Sequence, residues 1–241
     1  MYLSIIIPAY NEEKRLPSTI REISSYLKDK DYSYEILVVN DGSTDKTAEV
    51  VRGMTTEIKG LKLIDNEENK GKGGVVKQGM LEAKGKYRLF TDADNSTSID
   101  HIERMWPLFN EGFNIVIGTR DSKDAPGAKQ AVPQSFIKRS LGNIGNLLIQ
   151  LIAVPGIWDT QCGFKAFTDQ LAESVFPKQK IDRWGFDIEI LFLSRMLGYK
   201  IGIIPVNWVN DPDSKVSLKG YLQVFKELFQ VRLNQLKGVY K

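Results

Sequence analysis

Short apolar runs in this chain alternate with longer stretches in which apolar residues recur every three or four positions. The first run, Ile5–Ile7, is continuous, as in a strand that is buried on both faces. Residues 12–28 follow with the spacing of an amphipathic helix. The residues that would form its apolar face are Leu16, Ile20, Ile23 and Leu27. The chain therefore opens with a predicted strand and a predicted helix.

The same alternation continues as far as residue 119. Predicted strands cover 5–7, 35–40, 61–65, 87–91 and 115–119. The first, third and fourth predicted helices cover 12–28, 73–83 and 98–110, and the second carries Thr47, Val50, Val51 and Met54. Ser43 or Thr44 is expected to cap the second helix, and Ser98 with Asp100 to begin the fourth. Strands that alternate with helices predict an α/β fold with a doubly wound, parallel sheet. A chain of 241 residues with this pattern is expected to form one domain.

Composition excludes several classes of protein. Hydrophobic residues make up 42% of the chain and charged residues 26%, which is typical of a folded globular protein. The single cysteine, Cys162, excludes an intramolecular disulfide and a multi-cysteine zinc site. The lone His101 is expected to be an ordinary surface or capping residue. A net charge of +3 does not support nucleic-acid binding. Because Met1 leads straight into the first strand, no secretory signal peptide is expected.

Polar side chains cluster where three of the predicted strands end. They lie in residues 8–12, in residues 40–45 and at Asp92 and Asp94. Ligands of doubly wound sheets bind beyond the carboxyl ends of the strands, so these separate segments are expected to share one crevice. The pattern predicts a nucleotide site.

Asp92 and Asp94 are the sharpest part of this pattern. Residues two apart on extended chain point to the same side, so the two carboxylates would converge. Hard oxygen ligands of this kind suit Mg²⁺ or Mn²⁺, which complete their coordination with water and substrate phosphate. The alternative is a solvated turn without a ligand.

Basic residues also accompany the predicted strand ends. Residues 69–74 combine glycines with lysines before a helix, and could hold phosphate or the base and ribose of a nucleotide, or simply form a flexible connection. Arg120 ends the fifth strand, and Lys138 and Arg139 follow. Arginine matches phosphate oxygens in pairs, so these side chains are candidates for a phosphate ligand. The alternative is solvated surface charge.

The end of the chain, residues 215–241, carries six basic residues against one acid, Glu227. Its apolar residues recur at helical spacing, which predicts an amphipathic helix. Such a helix can lie in an anionic membrane interface or pack against the domain. Residues 140–158 are free of charge up to Trp158 but contain several polar residues, so an amphipathic helix is expected there too, and not a membrane span. We expect two parts: residues 1–210 and an extension over 211–241.

The motifs taken together resemble the family 2 glycosyltransferases of the GT-A fold. The matching segments are Ile6–Glu12, Val39–Asp45 and Asp92–Asp94, and the segments 69–74, 159–165, 183–187 and 206–208 are similar to the dolichyl-phosphate β-glucosyltransferase branch. The resemblance implies a single-domain, mostly parallel but mixed sheet. It also implies transfer of glucose from UDP-glucose to a polyprenyl phosphate, with inversion, by an enzyme peripheral to the cytoplasmic face of a membrane.

The resemblance also implies roles for individual residues. The nucleotide pocket would be lined by Pro8, Ala9, Tyr10 and Glu12, with Asp41 on the uracil or ribose, Lys72 assisting there, and Asp92 near the diphosphate. Asp92 and Asp94 would hold Mg²⁺ or Mn²⁺. Arg120 and Arg139 would meet the acceptor phosphate. The alternatives are mannose transfer from GDP-mannose, a sugar-1-phosphate nucleotidyltransferase, and a sugar-nucleotide-binding module without activity.

Overall fold

The computed structural model describes residues 1–130, 145–209 and 218–241. The strands are β1 (Leu3–Ala9), β2 (Tyr34–Asp41), β3 (Leu61–Asn66), β4 (Tyr87–Thr91), β5 (Ile115–Thr119), β6 (Lys129–Gln130), β7 (Phe164–Thr168), β8 (Ile201–Pro205) and β9 (Asn207–Trp208). The α-helices are Leu16–Lys28, Thr47–Met54, Lys72–Glu82, Trp106–Asn110, Asp169–Val175, Phe186–Met196 and Leu218–Leu236. Residues 145–152 are also helical, and Ile99–Arg104 and Phe176–Lys178 are 3₁₀ helices.

Seven strands form one mixed sheet in the order β3-β2-β1-β4-β7-β5-β8, and β6 pairs with β9. The five predicted strands are present and lie parallel to one another, which confirms the predicted α/β class. Strand β7 is antiparallel to both β4 and β5 and lies between them, so the sheet is mixed. The pairing of Thr91 with Phe164 places the start of β7 beside the carboxyl end of β4.

One predicted helix start and one predicted helix cap are wrong, for local reasons. The first helix begins at Leu16, not at residue 12, with Pro17 in its first turn. Neither Ser43 nor Thr44 caps the second helix, which begins at Thr47. The Ser43 hydroxyl accepts the amide of Asn11 at 2.9 Å, and so joins the ends of β1 and β2.

The predicted helix over 98–110 is two short helices. A 3₁₀ helix over Ile99–Arg104 is followed by Trp106–Asn110, and the second begins with Pro107 in its first turn. Proline has no amide hydrogen, so it separates the two segments. Ser98 precedes the first helix without a side-chain capping bond.

An apolar layer covers each face of the sheet. Alternate residues of β1 enter different layers: Ile6 packs in one, with Val39 and Phe90, while Ile5 and Ile7 pack in the other. The final helix joins the first of these layers. Its residue Val231 is buried there, as are Leu228 in the same helix and Tyr240 beyond its end. The expected boundary at residue 210 stays a prediction, because packing of the last helix does not test it.

Buried Glu35, on β2, ties the amino ends of the strands together. Its carboxylate accepts hydrogen bonds from the Ser4 hydroxyl at 2.6 Å, the Lys62 ammonium at 2.7 Å and the Lys84 amide at 2.8 Å. Burial opposes ionisation, but these bonds outweigh it and hold the pKa of the Glu35 carboxyl below its usual range. The ionised form is therefore the one that the fold stabilises.

We expect Glu35→Gln to destabilise the protein by about 2 kcal/mol and to lower Tm by about 4–8 °C, because its amide cannot accept from all three donors. The folded-state pKa of Glu35 is lowered, so its contribution is complete above the unfolded pKa of about 4.3 and is lost as pH falls through the folded value. Urea unfolding at pH 7 and at pH 3 measures this difference. The exposed Glu82→Gln is the control, and an equal loss at both pH values would contradict the interpretation.

Candidate active site

The carboxyl ends of β1, β2 and β4 are joined by hydrogen bonds between their loops. The side chain of Asn11 accepts the amide of Thr44 at 2.8 Å, and the amide of Glu12 donates to the Thr47 hydroxyl at 2.8 Å. Thr19 donates to the carbonyl of Ala93 at 2.7 Å, which connects the helix after β1 to the Asp92–Asp94 loop. The three polar segments therefore lie at one edge of the sheet.

The four residues expected in the nucleotide pocket are placed differently from one another. Pro8 and Ala9 lie within β1 and are buried, so they can offer a ligand little beyond their backbone. Tyr10 follows the strand and is exposed. Glu12 is buried and forms an ion pair with Arg15 at 2.7 Å.

Asp41 at the end of β2 shapes the glycine-rich loop. One carboxylate oxygen accepts the amides of Lys70 at 2.6 Å and Gly71 at 3.1 Å. Burial raises the pKa of Asp41, although these two amides act in the opposite direction. Gly71 has a φ of +88°, and a Cβ there would overlap the carbonyl oxygen of Asp182, so the loop requires glycine. Asp41 thus fixes the wall beside which a nucleotide would lie.

Asp92 is held from two sides. The Lys72 ammonium lies 2.7 Å from its Oδ1, and the backbone of Gly163 lies against its carboxylate. The amide of Asp92 donates to the carbonyl of Gly163 at 3.2 Å. Lys72 also stands over the ring of Phe90, 5.3 Å from its centre. Burial opposes the charge on Lys72, but Asp92 and the other nearby carboxylates outweigh it and raise the pKa of Lys72.

Asp94 faces the same space. Its Oδ1 accepts the amide of Ser96 at 3.0 Å. Burial and the negative charge of Asp92 raise the pKa of Asp94, so two carboxylates that repel each other converge here. A cation between them would relieve that repulsion.

The donor set fits Mg²⁺ or Mn²⁺. Within residues 1–130, 145–209 and 218–241 no group of three or more His, Cys, Asp or Glu side chains is placed to hold a metal. A pair of carboxylates suits a hard divalent ion that takes its remaining ligands from water and a substrate diphosphate. Asp92 and Asp94 are therefore the residues that would hold such an ion.

Arg120 at the end of β5 is fixed by Asp159. Its Nε and Nη2 each donate to a carboxylate oxygen of Asp159 at 2.8 Å, and its backbone amide donates at 2.8 Å. Burial opposes ionisation of Asp159, but Arg120 outweighs it and holds the pKa of that carboxyl below its usual range. The ring of Trp208 lies 5.3 Å from Cζ of Arg120. The second edge of the guanidinium, formed by Nη1 and Nη2, is turned away from Asp159.

Arg139 and Lys138, the other basic residues expected near the acceptor, lie outside the described residues.

His101 is not a surface residue, which corrects the expectation. The ring is buried, and its Nε2 accepts the amide of Asn207 at 3.0 Å. Its Nδ1 is 3.0 Å from the carbonyl of Ser98, so Nδ1 carries the hydrogen. His101 therefore secures β9, the strand that places Trp208 over Arg120.

A buried ion pair lies beneath the site. The Lys165 ammonium donates to the Asp187 carboxylate at 2.6 Å and to the carbonyl of Cys162 at 2.5 Å. Both charged side chains are buried, so Asp187, in the first turn of the Phe186–Met196 helix, does more than interact with the helix dipole. The signal in the sequence was a lysine between Phe164 and Ala166 and an acid between Phe186 and Ile188, each within an apolar run. Charges in such runs are buried only when they are paired.

Two further acids were missed as site-forming residues. Asp124 accepts the amides of Trp158 and Asp159 at 2.8 Å each, and so holds the turn that carries the partner of Arg120. Glu227 of the last helix is buried and accepts the amide of Gly185 at 2.6 Å. It therefore connects the last helix to the segment before the Phe186–Met196 helix.

The comparisons with known proteins agree with this geometry. Residues 4–176 match the family described as Glycosyl transferase family 2. The chain is 36% identical over 253 residues to the dolichyl-phosphate beta-glucosyltransferase of Dictyostelium discoideum, with 100% of this chain and 77% of the relative covered. It is 34% identical to the human protein of that name, with 99% and 77% covered.

Solved structures show the fold. Glucosyl-3-phosphoglycerate synthase from Mycobacterium tuberculosis, in complex with uridine diphosphate, superposes with a TM-score of 0.71 at 19% identity, over 96% of this chain and 80% of the other. Mannosyl-3-phosphoglycerate synthase from Rubrobacter xylanophilus gives 0.67 at 16% identity, over 99% and 74%. The predicted GT-A fold is thereby confirmed. The chain belongs to glycosyl transferase family 2, and it is an enzyme that transfers a sugar.

We expect Gly163→Ala to lower sugar transfer at least about tenfold, because the new Cβ would overlap the Asp92 carboxylate and force it to move. The change leaves the core intact, so Tm should change little. Release of the nucleotide product and thermal unfolding measure the two effects.

Gly53→Ala is the matched control for this substitution. Gly53 lies in the Thr47–Met54 helix, and a Cβ there meets no atom within 4 Å. It should keep full activity and gain about 0.5–1 kcal/mol of stability. Wild-type turnover in Gly163→Ala would show that the position of Asp92 is not set by this turn.

Proposed function

We propose that this chain transfers glucose from UDP-glucose to dolichyl phosphate or another polyprenyl phosphate, with inversion at the anomeric carbon. The observation that carries the proposal is the similarity to dolichyl-phosphate beta-glucosyltransferases, which extends over the whole chain. The site supports it, because a carboxylate pair suited to a diphosphate follows β4 and an arginine suited to a phosphate follows β5, on either side of β7 in the sheet.

The donor would lie between the Asp41 loop and the Asp92–Asp94 pair. Contacts to the base and ribose fall to residues 8–12 and Asp41, and Asp92 and Asp94 hold Mg²⁺ or Mn²⁺. Glycosyltransferases of this fold commonly use a divalent metal. When bound, the ion offsets charge on the departing diphosphate.

The acceptor supplies its own nucleophile. A phosphate monoester has a second pKa of about 6, so it is largely a dianion at neutral pH and needs no catalytic base. Arg120 would orient it with the guanidinium edge that Asp159 leaves available, and Arg139 is proposed as its partner. Asp159 and Trp208 restrict the Arg120 side chain, so little conformational freedom is lost when phosphate binds.

We also propose a peripheral contact with the cytoplasmic face of a membrane. The last helix exposes four large apolar side chains: Leu222 (65%), Phe229 (53%), Leu233 (52%) and Leu236 (76%). The helical segment 145–152 exposes Leu147 and Leu151, and a Cβ on Gly145 would lie 3.5 Å from the ring of Phe225 on the last helix. The two helices are thus neighbours with exposed apolar residues. No helix in the described part of the chain is long and apolar enough to span a membrane.

A donor screen tests the proposed reaction. Purified protein with Mn²⁺ and a short polyprenyl phosphate is given UDP-glucose, GDP-mannose, or glucose 1-phosphate with UTP. We expect UDP and a glucosyl phosphate lipid from the first mixture alone. Release of GDP would indicate that the enzyme transfers mannose, and release of pyrophosphate would indicate a nucleotidyltransferase. Binding of UDP-glucose without turnover would favour a module that only binds.

Asp94→Asn should lower transfer at least about 100-fold, because it removes one of two carboxylates proposed to hold the metal. The same change should raise Tm at pH 7, since burial and Asp92 raise the pKa of Asp94 and its ionised form is unfavourable in the folded protein. A raised pKa contributes stability only at low pH, so the gain in Tm should disappear below about pH 4. Near wild-type turnover at limiting metal would contradict the metal assignment.

Binding to anionic liposomes tests the membrane proposal. Co-sedimentation at low salt should exceed that at high salt, because each basic residue near an anionic surface contributes about 1 kcal/mol that salt screens. Replacing Phe229 and Leu236 together by Ser should reduce binding, whereas Leu81→Ser, which removes an exposed leucine from another helix, should not. A protein that stays in the supernatant at both salt concentrations would refute the proposal.

A further inference from the structure

Lys72 forms an ion pair with Asp92, one of the two carboxylates that would bind the metal. Its Nζ lies 2.7 Å from Oδ1 of Asp92, and about one quarter of its side chain is exposed. The ammonium also lies over the rings of Phe90 and Trp184, 5.3 and 6.0 Å from their centres. The ammonium thus occupies one side of Asp92 without being sealed in the core.

Lys72 is the first residue of its helix, and this is an unfavourable place for a cation. The start of a helix carries partial positive charge, and no acid lies in the first turn of this one. The ammonium is therefore held there by Asp92, with additional attraction from Asp94 and Asp187. The partial positive charge at this helix start would attract an anion, whereas it repels the Lys72 ammonium.

Lys165, which lies beneath the site, differs from Lys72 in its burial and its partners. It is fully buried, and its partners are Asp187 and the carbonyl of Cys162. The Lys165–Asp187 pair is neutral as a unit, so of these five side chains only Asp92, Asp94 and Lys72 contribute net charge beside the proposed metal position. A divalent ion that bound Asp92 alone would have to share the carboxylate with a cation in hydrogen-bonding contact.

We propose that Lys72 is a resident counter-ion that Asp92 exchanges for the metal only when the diphosphate arrives with it. Without nucleotide, the ammonium opposes metal binding. With the donor bound, the diphosphate would accept hydrogen bonds from the Lys72 ammonium in place of Asp92. The Asp92 carboxylate would then be available to coordinate the metal that accompanies the donor. Lys72 then contacts the leaving diphosphate, and not only the base and ribose as the family resemblance implies. This inference rests on the proposed metal role of Asp92 and Asp94.

The test is Mn²⁺ binding followed by electron paramagnetic resonance, with no acceptor and no turnover. The wild-type protein should bind Mn²⁺ weakly alone and at least about tenfold more tightly with saturating UDP. Lys72→Met should bind Mn²⁺ alone about tenfold more tightly than the wild type, and UDP should add less. Lys72→Arg keeps the cation and should behave like the wild type. Lys84→Met, which removes an exposed lysine just beyond the same helix, is the charge-matched control.

Unchanged Mn²⁺ affinity in Lys72→Met, or equal affinity of the wild type with and without UDP, would overturn the proposal. Thermal unfolding of each variant verifies that it is folded. If Lys72→Met is not folded, Lys72→Gln, which also removes the charge and should also bind Mn²⁺ alone more tightly than the wild type, replaces it. Asp94→Asn distinguishes failure of the metal assignment from failure of the counter-ion role of Lys72. If that variant binds Mn²⁺ with UDP as tightly as the wild type does, the metal assignment itself fails; if it does not, an unresponsive Lys72→Met refutes only the counter-ion role.

Discussion

The close approach of the Gly163 backbone to the Asp92 carboxylate is the contact on which the site depends. It exists because β7 runs antiparallel between β4 and β5, with Phe164 opposite Thr91. The turn that leads into β7 therefore lies beside the carboxyl ends of both β4 and β5. The same turn brings Asp159 to Arg120. One reversed strand thus fixes the donor carboxylate and the acceptor arginine relative to each other.

The buried polar groups below this turn specify its position. A pair such as Lys165 and Asp187 costs desolvation that its own attraction only partly recovers, so its value lies in fixing one arrangement more than in adding stability. Glu227 and Glu189 extend the same principle to the last helix. Glu227 accepts the amide of Gly185, and Glu189 accepts the Tyr240 hydroxyl at 2.5 Å. The helix proposed to meet the membrane is therefore bonded to the segment that borders the glycine-rich loop.

The parts of the structure that depend on local sequence could be predicted, and those that depend on distant partners could not. Strands β4 and β5 have the predicted bounds, because each is a short apolar run between polar turns. Strand β7 was not predicted, since Lys165 interrupts its apolar run and only the fold supplies Asp187. The Asp92 and Asp94 pair was visible from spacing alone. The roles of Asp124, Asp159 and Glu227 were not, because each carboxylate serves backbone amides or a guanidinium brought near by the fold.

A crystal of the protein with Mn²⁺ and UDP tests the central claim most directly, namely that the strand-end crevice holds the metal and diphosphate together. We expect an anomalous manganese peak within coordination distance of carboxylate oxygens of Asp92 and Asp94, with the diphosphate on its far side and the uridine beside the Asp41 loop. A manganese peak bound elsewhere, or UDP bound with its diphosphate away from Asp92, would contradict it.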